Sequence, residues 1–193
     1  IEAHPAARAH VLPCIAGHVG ADTAAVILSE DPQSSDDVVL LVDIGTNAEI
    51  VLGNRDRLFA CSSPTGPAFE GAQISSGQRA AAGAIERVRI DPSTLAPRFK
   101  VIGSDLWSDA PGFSAAVAKI GVTGICGSGI IEALAELFLC GVILPDGLID
   151  PGKAEMSARI QQDGKTHAYV LHAGPPEIRI TQLDIRNIQL AKA

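Results

Sequence analysis

Asp43-Ile44-Gly45-Thr46-Asn47 combines a carboxylate, a glycine and two side-chain donors within five positions, directly after an apolar run. Glycine adopts backbone angles closed to other residues, so amide groups beside it can approach an anion closely. Thr46 and Asn47 add side-chain donors, and a carboxylate at Asp43 suits a Mg2+ held through water. An ordinary hairpin with a polar tip fits the same five residues equally well. A second constellation is Gly124-Ile125-Cys126-Gly127-Ser128-Gly129, which runs straight into a helical pattern. A helix N-terminus carries unpaired N–H groups and positive partial charge, and glycines let a phosphate reach them. The plainer reading is a glycine-rich cap that packs the helix on a strand. A third is Glu70, inside Gly66-Pro67-Ala68-Phe69-Glu70-Gly71, which could orient water or metal. A solvated loop carboxylate is the commoner outcome for such a residue.

Other candidates fall away. Gly147 to Lys153 matches the Gly-x4-Gly-Lys part of a P-loop, but Ala154 stands where the Mg2+-binding hydroxyl belongs, and Pro151 removes an N–H. The five histidines show no metal-ligand spacing and read as surface or capping residues. Cys14, Cys61, Cys126 and Cys140 form no CxxC pair and three lie in apolar stretches, so buried free thiols are expected, without an iron–sulfur cluster in this segment.

These residues need elements to position them. Asp22 is a candidate cap for a short helix to about Leu28, followed by a polar turn from Asp31 to Asp37. Val38 to Val42 reads as a strand buried on both faces. Ala48 to Leu52 is its return strand and Arg57 to Ser62 a third, which together make an antiparallel meander with tight turns. Gly71 to Val88 is Ala-rich and expected to be partly helical. Ser128 to Cys140 reads as a helix with Ile130, Leu134, Leu137 and Phe138 on one face and Gly141 beyond its end. Residues 142–180 form a turn-rich excursion with short strands at Thr166 to Leu171 and Glu177 to Ile180. Thr181 and Asp184 fit a capping box for a last helix that continues past Ala193.

Composition bounds the function classes. Apolar residues make up 47% of 193 residues and charged residues 19%, enough for a sizeable core. The net charge of −7 argues against a nucleic-acid binder. The sequence holds no apolar run of transmembrane length and no signal-peptide pattern, so no membrane association and a cytoplasmic location are expected. The start at Ile1 and the helix running to Ala193 suggest a single lobe, residues 1–193, excised from a longer protein.

Several longer runs carry a resemblance. Leu12 to Asp22 (LPCIAGHVGAD), Leu41 to Asn54 (LVDIGTNAEIVLGN), Gly66 to Ile74 (GPAFEGAQI), Ala80 to Val88 (AAAGAIERV), Ile125 to Ile131 (ICGSGII) and Ile180 to Lys192 (ITQLDIRNIQLAK) resemble the C-terminal region of the reductive activators of corrinoid proteins. That region belongs to the actin-like superfamily of sugar kinases and heat-shock chaperone ATPases. The resemblance implies a ribonuclease-H-like α/β lobe: the three-strand meander extended by parallel strands, with helices on both faces. It implies ATP and Mg2+ as ligands, with Asp43 positioning the metal and Gly45, Thr46 and Asn47 holding the β/γ-phosphates. Gly127, Ser128 and Gly129 contact nucleotide or shape the cleft, and Glu70 joins Asp43 as a candidate catalytic carboxylate. The parent protein is then similar to an electron donor whose 2Fe–2S domain lies outside this segment. It returns inactive Co(II) corrinoid protein to Co(I) for methyl transfer, with a homodimer possible. Where the family carries Cys-Gly-Met-Arg this chain reads Ser76-Gly77-Gln78-Arg79, so no thiol role carries over.

Two alternatives stay open from the sequence: a small-molecule kinase of the same superfamily, and a non-enzymatic nucleotide-gated binding module. The resemblance supplies one phosphate hairpin but neither the other hairpin nor the terminal adenosine motif. The 193-residue chain alone is therefore expected to bind Mg-ATP no tighter than about 100 μM, roughly 5.5 kcal/mol. Calorimetry checks this, and a low-micromolar constant would contradict the half-site reading.

Overall fold

The computed structural model describes His4 and residues 6–192. The chain forms two compact units, Ile1–Pro64 and Thr65–Ala193. The expected continuation of the last helix at Ala193 lies outside the described residues.

The first unit contains helix α1 (Ala21–Glu30) and strands β1 (Val39–Ile44), β2 (Asn47–Gly53) and β3 (Leu58–Pro64). Asp22 lies within the first turn of α1 and Gly20 takes the cap position, so the carboxylate complements the helix dipole instead of capping it. The strands make the expected antiparallel meander, in the order β1-β2-β3. Val39 faces Gly53 and Ile44 faces Ala48, while Gly53 in turn faces Leu58. β1 is not buried on both faces as its composition suggests. Leu40, Val42 and Ile44 are 59%, 49% and 53% exposed. An unbroken apolar run does not distinguish a doubly covered strand from an antiparallel one, which needs cover on one side only. Val51 on β2, the register partner of Leu41, is buried on the other face.

The second unit contains β4 (Ala84–Ile90), β5 (Pro97–Val101), α2 (Phe113–Ala116), β6 (Gly124–Ile125), α3 (Gly127–Leu139), β7 (Ile160–Asp163), β8 (Thr166–His172), β9 (Ile178–Thr181) and α4 (Gln182–Lys192). They build two three-stranded sheets, β5-β4-β6 and β7-β8-β9. The parallel pairing expected on the meander occurs here instead, between β4 and β6. Gly71 to Val88 is not helical: it is a run of turns leading into β4, because Ile85, Val88 and Ile90 bury their side chains as a strand does. The excursion at 142–180 holds the two expected strands and a third, β7, whose Gln161 and Gln162 hide it from a hydrophobicity reading.

β6 is only two residues long, so it cannot pair the whole of β4. Glu132 and Glu136 of α3 complete the edge: the Val88 amide donates to Glu132 Oε2 at 2.7 Å, and the Ile90 amide donates to Glu136 Oε2 at 3.0 Å. Glu132 also pairs with Arg87 at 2.8 Å and Arg89 at 2.9 Å. Burial raises the Glu132 carboxyl's pKa, but the Val88 amide and both guanidinium groups outweigh it and hold the group below the usual carboxylate range. The neighbouring face of α3 buries Ile130, Ala133 and Leu137. Phe138, expected on that face, is exposed, because eight residues on from Ile130 turn it about 80° away.

The core of this unit joins both sheets, with Ile85, Val88 and Phe99 from one and Tyr169, Ile178 and Ile180 from the other. Tyr169 is fully buried and donates its hydroxyl to the Leu95 carbonyl at 2.8 Å. His172, expected at the surface, is half-buried edge-on to Phe99, with centroids 5.6 Å apart. Burial, then the Arg159 charge, lowers its pKa. The cysteines are free, but only Cys126 is buried; Cys14 and Cys61 are exposed, contrary to the expectation of buried thiols.

Replacing Glu132 with Ala leaves the Val88 amide without its acceptor and two arginines without their pair. The expected cost is about 1–3 kcal/mol of unfolding free energy, because a stranded polar group near the interior loses its full desolvation compensation. Urea denaturation of the variant checks it; an unchanged midpoint would mean water replaces the carboxylate freely.

Candidate functional site

The nominated residues fall into two groups, one in each unit. In the first, β1 and β2 meet through a tight turn in which the Gly45 amide donates to the Asn47 carbonyl at 2.9 Å. Thr46 and Asn47 are exposed at the tip. Asp43 lies one residue inside the strand end and is exposed, not partly buried, since β1 is open on that stretch. Its register partner is Glu49, and Glu49 faces Ser62 on β3. Ser62 Oγ donates to Glu49 Oε1 at 2.9 Å. Two carboxylates directly opposite on one sheet face repel each other, and a divalent cation would relieve that repulsion. Among the described residues no group of three or more His, Cys, Asp and Glu side chains is arranged to hold a metal.

The second group is assembled by the segment 65–80. Pro67–Glu70 forms a 3-10 turn that ends at Gly71. Beyond it, the Ser75 amide and hydroxyl donate to Asp184 Oδ1 at 2.7 and 3.0 Å. Asp184 is fully buried, and its other oxygen accepts from the amide and hydroxyl of Thr181, both at 2.8 Å. The capping box is therefore present, and the same carboxylate also anchors the segment. Asn187 Nδ2 donates to the Gln73 carbonyl at 2.6 Å. Gln78 and Ser76 exchange backbone hydrogen bonds with Ile125, both 2.9 Å.

That anchoring brings Glu70 beside the start of α3. Phe69, Glu70, Arg79, Ala80, Cys126, Gly127 and Ser128 line one cavity of about 470 Å³. Cys126 occupies the cap position of α3, with its amide donating to the Ile85 carbonyl at 3.0 Å. Ser128 Oγ donates to the Glu86 carbonyl at 3.2 Å. Gly127 has no room for a side chain, because a Cβ there would strike the Phe69 carbonyl oxygen. Gly129 has none either: its Cβ would strike the Ile85 carbonyl oxygen. The cavity thus brings together Glu70, Gly127 and Ser128, while Gly129 is buried against β4 and does not line it. Phe69 and Arg79 are lining residues that no spacing rule marks. The pairing of Gly77 with Ile125 helps to carry Arg79 here. A larger cavity, about 530 Å³, opens beside the β4–β5 hairpin and contains none of the nominated residues.

Residues 37–193 match the family described as the C-terminal domain of RACo, the ASKHA domain. The chain belongs to that family. The matched span of this ASKHA domain takes in the hairpin, the anchored segment and α3. The chain is 36% identical over 200 residues to the corrinoid activation enzyme RamQ of Eubacterium limosum, an alignment covering 98% of this chain and 30% of RamQ. It is 32% identical over 176 residues to the [Co(II) methylated amine-specific corrinoid protein] reductase of Methanosarcina barkeri, covering 80% of this chain and 31% of that protein. Among solved structures it resembles the reductive activator for corrinoid, iron–sulfur protein, with a TM-score of 0.74 and 38% identity, over 92% of this chain and 26% of that one. The mixed α/β fold with its antiparallel sheets is the actin-like fold of that neighbour. The chain spans under a third of the length of these relatives. No helix among the described residues is long and apolar enough to cross a membrane.

Gly127→Ala tests the packing at the head of α3. The added methyl has to displace the 3-10 turn that carries Phe69 and Glu70, at an expected cost of about 1–3 kcal/mol. Chemical denaturation measures it, and a variant as stable as the wild type would show that the turn moves without resistance.

Proposed function

We propose that this chain is the phosphate-gripping lobe of an ATP-dependent reductive activator, which returns inactive Co(II) corrinoid protein to Co(I) for methyl transfer. The observation that carries the reading is the family match over residues 37–193, made with relatives named as a corrinoid activation enzyme and a corrinoid protein reductase. Those names favour activation over the small-molecule kinase and the nucleotide-gated module.

In this reading the hairpin grips the β/γ-phosphates. The Gly45 amide is engaged within the turn, so Gly45 contributes a close approach without a side chain, and Thr46 and Asn47 contribute donors. Asp43, with Glu49 opposite, would hold Mg2+ through water, and the metal would offset phosphate charge. Gly127 and Ser128 meet the nucleotide at the first turn of α3, where amides are unpaired and the helix dipole is positive. Gly129 shapes that wall by letting the helix sit directly on β4. Glu70, on the same cavity, orients water. The remaining two thirds of the protein would carry the 2Fe–2S electron donor. The whole would work in the cytoplasm on a corrinoid protein partner, as a monomer or a homodimer.

Asp43→Asn in the full-length protein keeps size and hydrogen bonding but removes the charge. ATP turnover is expected to fall at least tenfold, about 1.4 kcal/mol of transition-state stabilisation. Reduction of the corrinoid protein falls in parallel if the two are coupled. ATPase and cobalt-reduction rates, with circular dichroism as the folding control, decide it. Normal turnover in a folded variant would make the carboxylate structural.

A further inference from the structure

α3 is apolar on two sides. One side packs into the core through Ile130, Ala133 and Leu137. At about 100° per residue, Ile131, Ala135, Phe138 and Leu139 fall together on the side that points away from it. Ile131, Phe138 and Leu139 are 41%, 51% and 78% exposed, and Ala135 is exposed between them. A surface helix normally carries its charges there, and a helix that is apolar all round is one that something covers. The charged side chains of α3 are Glu132 and Glu136 alone. Both are committed to β4, through the Val88 and Ile90 amides and through Arg87 and Arg89. The outer face therefore holds no charge, on a chain of net charge −7.

We infer that a second copy of this protein packs on the outer face of α3, antiparallel, about a two-fold axis close to Ala135. The order of side-chain sizes favours this occupant. Along the helix the face reads large, small, large: Ile131, Ala135, then Phe138 with Leu139. Reversing the helix about Ala135 leaves that order unchanged. An antiparallel copy therefore sets Ile131 of each helix against Phe138 and Leu139 of the other, with the alanines at the crossing, where helix axes approach to about 8 Å. Antiparallel packing also sets the helix dipoles against each other favourably. The missing charge points the same way. In a two-fold contact a patch meets itself, so any charge on it meets its own like. A different protein would instead be selected by opposite charges across the contact. A contact along roughly 20 Å of helix buries less than the about 800 Å² per partner of a stable complex. A reversible dimer that depends on concentration is therefore expected. None of this depends on the proposed redox role.

The test uses the full-length protein. Its mass by light scattering is expected to rise from monomer to dimer with concentration. Phe138→Glu, at an exposed position, should raise the dimer dissociation constant at least about tenfold without changing the circular dichroism. Phe138→Leu keeps an apolar side chain and should keep the dimer. Ala135→Cys should form a 135–135 disulfide between copies on mild oxidation, located by peptide mass spectrometry, since such a bond needs Cα atoms within about 7 Å. Lys165→Cys, in the turn between β7 and β8, should form none. A protein that stays monomeric at every concentration overturns the inference, as does a folded Phe138→Glu variant that dimerises like the wild type. A dimer without the 135–135 link places the two-fold contact elsewhere and overturns it too. If the thiol introduced at position 135 resists maleimide in the monomer, another segment of the same polypeptide covers the face, and the inference falls.

Discussion

The amides of Val88 and Ile90 must be satisfied, and the strand that should satisfy them stops after two residues. The chain turns that shortage into the placement of a helix. Residues four apart on a helix are separated by about 6 Å along its axis, and residues two apart on a strand by about 6.6 Å. Glu132 and Glu136 therefore reach the amides of residues 88 and 90 only if α3 runs alongside β4. Once the helix lies there, its first turn is fixed too. Gly127 and Gly129 follow from this, since each is pressed on a carbonyl where a methyl group has no room.

The cavity depends on a second fixed point. Asp184 has to cap α4, and as a fully buried carboxylate it needs a donor for every lone pair it can fill. Thr181 supplies two and Ser75 supplies two. Because Ser75 is more than a hundred residues earlier, the helix cap also anchors the segment that carries Glu70 and Arg79. Loop residues at the cavity are thus held by backbone and buried polar contacts, while α3 supplies the opposite wall.

Much of this was legible in the sequence. The meander, its polar turn at Asp43 to Asn47, the helix after Gly127 and the Thr181–Asp184 box all follow from local patterns of turn residues, caps and periodicity. What failed had a common cause: burial was inferred from composition. Val38 to Val42 looks doubly buried yet is open, and the alanines of 80–84 suggest helix where Ile85 and Val88 belong to a strand. The second role of Asp184, the bridge from Gly77 to Ile125 and the resulting position of Arg79 are long-range pairings with no local signature. At Gly129 glycine spacing marks a close approach, to the Ile85 carbonyl, but does not say what approaches.

The glutamates on β4 also bear on what this sheet can join. A strand edge with free amides is a template that any passing extended chain can copy, which is how sheets recruit peptides and how they seed aggregates. At Val88 and Ile90 the template is already occupied by side chains of the same molecule. β4 cannot be lengthened sideways by another chain without first displacing two carboxylates and releasing the arginines they hold, so growth by strand addition is closed at the centre of this unit.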